Sequence, residues 1–125
     1  MKFVLDDNST GHAIQRYAQG EITIDGKVYR KSLVLTPDSI IPTWRPSTFQ
    51  DLQKEDFTIV AELKPEIVIL GTGAKQHFPS HAVTQLLIDA RIGLEVMDTA
   101  AACRTYNILM SEGRRVAAAL MMIEV

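Results

Sequence analysis

"EIVILGTGAKQHFPSHAVTQLLIDARIGLEVMD", residues 66–98, decides how this chain folds. It opens on EIVIL (66–70), a continuous apolar run between Pro65 and Gly71, which suits a strand covered on both faces. A helix follows from about Ser80 to Ile92, because Ala82, Val83, Leu86 and Ala90 fall on one stripe and Gly93 can end it. LEVMD (94–98) is the next strand. Asp98 or Thr99 then caps a helix that runs to Gly113, and RVAAALMMIEV supplies the last strand. Strand, helix, strand, helix, strand at this spacing predicts right-handed crossovers and parallel pairing.

Upstream of that unit the periodicity changes. EITI and KVYRKSLVL flank Asp25-Gly26, a dipeptide suited to a two-residue turn whose central residues both take positive φ, so a hairpin is expected. HAIQRYA (12–18) reads as its partner strand. PDSIIPTWRPST carries three of the five prolines and predicts an irregular crossover around Trp44, and KEDFTIVAEL (54–63) a short helix closed by Pro65. The sequence therefore predicts one α/β domain over residues 1–125. Its core is a parallel or mixed sheet with crossover helices, and an N-terminal β-hairpin layer is added to it.

Composition narrows the function classes. A chain of 125 residues with 46% hydrophobic and 22% charged residues can bury a core without metal or disulfide, and a net charge of −2 gives no electrostatic reason to expect nucleic acid. The single cysteine, Cys103, cannot form an internal disulfide. The start MKFVLDDNSTGH shows no leader pattern, and no stretch reaches the roughly 18 consecutive apolar residues of a membrane span, so a cytoplasmic, uninserted protein is expected.

In an α/β sheet, ligands gather beyond the carboxyl ends of the strands. Gly71-Thr72-Gly73 lies there, and two roles fit it: a structural turn, or a loop exposing amides to an anion. No third glycine follows at dinucleotide spacing and no Gly-Lys-Ser/Thr at phosphate-loop spacing, which favours the turn. On the helix after Asp98, Ala102, Cys103, Tyr106, Leu109 and Met110 share one face and Arg104, Asn107 and Ser111 the opposite one. Arg104 and Asn107 offer recognition chemistry, and Glu112, Arg114 and Arg115 follow at the helix end. His77 and His81 are separated by Pro79 and have no further ligands nearby, so no metal site is expected. Cys103 falls on the buried stripe, where a thiol is inert. Tyr17, Tyr29, Phe49, Phe57 and Phe78 read as packing residues. Met121 and Met122 fall on a strand of alternating exposure, whose open edge would invite a second copy of the chain.

The motifs IVILGTGAKQHFPS and GLEVMDTAAACRTYNILMSEGRRVAAALM, with the EITIDGKVYRKSLVLTP hairpin and the single tryptophan, carry a resemblance from about Gly20 onward. The chain resembles a family of small domains found in bacteria, archaea and mitochondria. That family includes a mitochondrial assembly factor of respiratory complex I and an adipogenesis-associated protein. The resemblance implies an α/β fold with an added hairpin layer. It also implies recurring residues at Gly71, Gly73, Asp98, Ala102, Arg104, Asn107, Glu112 and Arg114, and a non-catalytic helper role.

Two functional expectations of different class follow. The preferred one is a non-enzymatic interaction module for an unidentified protein partner, without cofactor, using the Arg104 and Asn107 face and the hairpin, and assisting assembly of a protein complex. The alternative is a small anion or nucleotide-like ligand held between Gly71-Thr72-Gly73 and the 99–112 helix, with Asp98 as first candidate base and Arg104 or Arg114 on the ligand.

Overall fold

The computed structural model describes residues 11–124, so the MKFVLDDNST start lies outside the described residues. Two sheets are present among the described residues. The first is three-stranded and antiparallel, order β1-β2-β3, from Ile14–Ala18, Glu21–Ile24 and Lys27–Tyr29. Its hairpin turn is the expected one, with Asp25 at φ 53° and Gly26 at φ 79°. The second sheet has five strands in the order β5-β4-β8-β6-β7: Leu33–Leu35 is β4, Ile40–Ile41 β5, Ile67–Thr72 β6, Gly93–Met97 β7 and Val116–Met121 β8. β6 runs parallel to both β7 and β8, whereas β4 is antiparallel to β8 and β5, so the sheet is mixed.

Three helices cover this sheet: α1 at Thr58–Glu62, α2 at His81–Asp89 and α3 at Thr99–Ser111. β8 and β6 are central and feed both cores by simple alternation. Ile69, Ala118, Leu120 and Met122 join Ala102, Cys103 and Tyr106 of α3 and Ile22 and Ile24 of the small sheet. Val68, Leu70, Ala117, Ala119 and Met121 join Phe57, Val60, Leu87 and Trp44 on the opposite side. The three-stranded sheet and α3 thus form one layer, and α1, α2 and the Trp44 segment form the other.

Several expectations needed correction, each for a tertiary reason. KVYRKSLVL is not one strand: it breaks at Arg30–Ser32, and its two ends enter different sheets. The proline-rich crossover contains the short edge strand β5. Helix α2 ends earlier than Ile92, because Arg91 takes the left-handed conformation at φ 59° and Gly93 already begins β7. Its fully buried residues are Thr84 and Leu87, whereas Ala82 and Ala90 are exposed, so the inward stripe is rotated from the apolar count. Met121, on a strand flanked by β4 and β6, and Met122 just after it are both buried, which removes the open edge argued for a dimer there. Phe78, read as a packing residue, is 72% exposed.

Candidate functional site

The carboxyl ends of β6, β8 and β7 meet at Gly71-Thr72-Gly73. Gly71 is explained by packing: a Cβ there would lie 2.9 Å from Leu120 Cδ2, 2.9 Å from Thr99 Oγ1 and 3.1 Å from Ala102 Cβ. α3 therefore rests directly on the backbone of β6, and a side chain would push it away. Gly73 is explained by conformation, since its φ of 98° is strained for any residue with a side chain.

Two threonine hydroxyls and one carboxylate tie this turn to the helix and to β8. Thr99 Oγ1, fully buried, accepts from the Gly73 amide at 2.8 Å and donates to the Met121 carbonyl at 2.6 Å. The Thr99 amide in turn donates to the Gly73 carbonyl at 2.9 Å. Thr72 Oγ1 accepts from the His77 amide at 3.1 Å and donates to the Lys75 carbonyl at 2.5 Å. Asp98 caps α3, its carboxylate accepting from the Ala101 amide at 2.9 Å. A carboxylate in that position occupies the helix N-terminus that an anion would otherwise use.

The remaining candidates are not gathered at this turn. Asn107, in the middle of α3, acts as a staple: its Oδ1 accepts from the Ile14 amide at 2.9 Å and its Nδ2 donates to the Ile14 carbonyl at 2.8 Å. It therefore completes the free edge of β1 as a neighbouring strand would. Arg104 is exposed, and its Nη1 donates to the Tyr17 hydroxyl at 2.8 Å, on the same strand. That contact holds the guanidinium above its usual pKa. Tyr106 adds a third tie, its hydroxyl donating to the His12 carbonyl at 2.6 Å. Burial, with lesser contributions from Asp25 and Asp38, pushes the Tyr106 phenol well above its ordinary range.

Glu112 closes the helix as its C-cap, and its side chain makes no ion pair among the described residues. Arg114 lies at the opposite end of the sheet, where its Nη2 meets Glu66 Oε2 at 3.3 Å. Hydrogen bonding from Arg114, then from the Arg115 amide, holds the Glu66 carboxyl below its ordinary pKa. Asp98 and Glu112 bracket a helix of 13 residues, about 20 Å long at the usual rise. Thus Gly71, Thr72, Gly73 and Asp98 come together, whereas Arg104 and Asn107 serve β1 and Glu112 and Arg114 lie at the far end.

Cys103 is fully buried, and burial first of all pushes its thiol up to about 12, so it is protonated at neutral pH. Among the described residues no group of three or more His, Cys, Asp or Glu side chains is arranged to hold a metal ion.

The sequence did not single out the second layer's polar lock. Asp56, buried, accepts from Arg45 Nε at 2.6 Å and Nη2 at 2.7 Å and from the Gln53 amide at 2.8 Å. Trp44 Nε1 donates to the Asp56 carbonyl at 2.9 Å. The signal available was Trp44-Arg45 set inside a proline-rich segment. An indole and a guanidinium there both need acceptors.

A model of the family described as "Protein of unknown function (DUF498/DUF598)" matches residues 14–121. The chain belongs to that family. It is 36% identical over 110 residues to the mouse protein named NADH dehydrogenase [ubiquinone] 1 alpha subcomplex assembly factor 3, covering 86% of this chain and 59% of the relative. The chain thus spans about three fifths of the length of that relative. It is 26% identical to the "13 kDa major membrane protein" of Francisella tularensis, covering 82% of this chain and 84% of the relative. A solved structure from Bordetella pertussis, titled as a Mth938-like domain, superposes with a TM-score of 0.87 at 27% identity, covering 99% of this chain and 94% of that one. This DUF498/DUF598 member has, among its described residues, no helix long and apolar enough to cross a membrane.

Proposed function

We propose that this chain is a non-catalytic interaction module that assists assembly of a multi-subunit protein complex, in the manner its relatives' names record for the NADH dehydrogenase alpha subcomplex. One observation carries the reading: Asn107 and Thr99 of α3 are committed to the scaffold. Asn107 holds Ile14 and Thr99 ties Gly73 to Met121, whereas the exposed Arg104 makes one hydrogen bond, to Tyr17, among the described residues. The result is a rigid body that displays Phe78, Ile88 and Ile108 to its surroundings. Partner proteins follow from this reading, with the chain working in the cytoplasm beside the complex it serves. The small-ligand alternative draws no support from the cavity of about 200 Å³ beside Gly73, Lys75 and His77, because no residue of the 99–112 helix lines it.

Deleting the gene in its own host and resolving membrane complexes on native gels tests the assembly role. Loss of mature NADH dehydrogenase with accumulation of subassemblies, restored by the reintroduced chain, is the expected outcome. Unchanged levels of every multi-subunit complex in the deletion strain would overturn it.

A further inference from the structure

Three cavities adjoin along the carboxyl end of the five-stranded sheet. One of about 320 Å³ is walled by Arg30, Lys31, Ser32 and Thr43, and it shares Ser47, Met122 and Glu124 with the cavity of about 200 Å³ beside Gly73 and Lys75. That cavity shares Phe49 and His77 with a third, of about 340 Å³, reaching Phe78 and Pro79. The shared walls make one groove, basic at one end and aromatic at the other.

Its charge is unlike that of the whole molecule. The chain carries a net charge of −2, yet among the described residues Glu124 is the one acidic residue in these walls, which also hold Arg30, Lys31, Arg45 and Lys75. Arg45 is already neutralised by Asp56 and Asp51. Arg30 meets Glu21 only at 3.7 Å, and Lys31 and Lys75 have no ion-pair partner among the described residues. Ser32 supplies an independent sign. It is 4% exposed, and its hydroxyl is the one buried side-chain polar atom without a hydrogen-bond partner among the described residues. Such a group is costly to leave unpaired. At the aromatic end, Phe49 and His77 stack with centroids 5.0 Å apart, beside the exposed Phe78.

Resting on the interaction-module reading, we propose that this groove is the docking site for an acidic peptide segment of the partner protein. Carboxylates lie against Lys31, Arg30 and Lys75, and an apolar or aromatic side chain follows onto the Phe49–His77 stack and Phe78. Exposed lysines with few internal partners supply orientation and rate, and the aromatic end supplies apolar burial. The second basic cavity, lined by Lys64, Arg114 and Arg115 at the other end of the sheet, provides an internal comparison.

The test is an NMR titration of the isotopically labelled chain with the acetylated peptide Asp-Glu-Asp-Glu-Leu-Phe and with inorganic phosphate. Saturable shifts at Lys31, Ser32, Ser47, Gly73 and Lys75 are expected, with affinity at least tenfold weaker for the Lys31→Glu/Lys75→Glu variant and no response to phosphate at equal charge. Thermal unfolding confirms that the variant is folded. Shifts centred on Lys64, Arg114 and Arg115, no saturable binding, or affinity unmoved by charge reversal would overturn the proposal. Displacement of the peptide by phosphate would make the groove a small-anion site instead. In the deletion strain, full rescue by the charge-reversed chain refutes the groove while leaving the assembly role standing. Peptide binding in a strain that assembles its complexes normally refutes the assembly role alone.

Discussion

The two faces of the five-stranded sheet are covered by different physics. On the α3 side, contact is close where the helix crosses β6: Gly71 and Ala102 let the helix approach its backbone, with Ala118 and Cys103 in the same core as the larger Tyr106. Polar groups then hold the outer layer, through Asn107 to Ile14 and Tyr106 to His12. On the α1 and α2 side the filling is bulky, with Trp44 and Phe57 at a centroid distance of 5.9 Å, and one buried carboxylate locks the crossover segment to it. The difference teaches where substitutions should hurt. The α3 face fails when anything is added, and the opposite face fails when a charge is lost.

The largest expected effect tests the first half of that statement. Gly71→Leu must place a side chain where a Cβ alone would lie 2.9 Å from Leu120 and Thr99. Overpacking should cost about 3 kcal/mol or more, a large part of the stability of a domain this size. Urea unfolding at the wild-type midpoint would show that α3 can move away at little cost.

Asn107→Ala comes next, because it removes two hydrogen bonds to one strand residue. A loss of about 2 kcal/mol is expected, lowering Tm by about 8 °C, while Ser111→Ala on the same helix stays within about 0.5 kcal/mol. Equal melting temperatures for the two variants would mean that the staple does not hold β1.

The opposite face is probed by pH. Burial pushes the Asp56 carboxyl up, but the Arg45 guanidinium and the Gln53 amide outweigh it, and the net direction is downward from 3.8. A carboxylate with a lowered folded pKa contributes stability that is fully present above the unfolded value and is lost as pH falls through the folded one. Wild type should therefore lose stability below about pH 4, and Asp56→Asn should lose less over the same interval. Parallel stability curves for the two proteins would remove Asp56 as the lock.

Arg104→Ala should change least. Its side chain is exposed and its one hydrogen-bond partner among the described residues is the Tyr17 hydroxyl, so Tm should stay within about 1 °C of wild type. A large drop would make this contact a structural tie comparable with Asn107.

Much of the architecture was legible because its signals are local. Asp25-Gly26 required a tight hairpin, Asp98 and Gly113 bounded α3, and the apolar run at 67–70 marked a strand buried on both sides, whereas the strand at 116–121, read as alternating in exposure, is buried throughout. The candidate site was less legible. Arg104 and Asn107 look alike in sequence, two polar residues on one helical face, yet one makes a single exposed contact and the other completes a sheet edge across 93 residues of chain. No spacing rule within the helix separates these cases, because the deciding partners belong to β1.

The sequence by itself determined most of the elements, the hairpin turn and the glycine of the turn at 73, since turns, caps and alternation depend on neighbours in the chain, whereas the need for glycine at 71 came from the packing of α3. Only the tertiary structure decided that KVYRKSLVL divides between two sheets, that Met121 and Met122 are both covered and that Ser32 lines a basic groove with its hydroxyl unpartnered. The reason is physical. Those outcomes depend on which surfaces meet after the chain has folded back on itself, and a hydroxyl, a lysine or a methionine carries no local mark of what it will face.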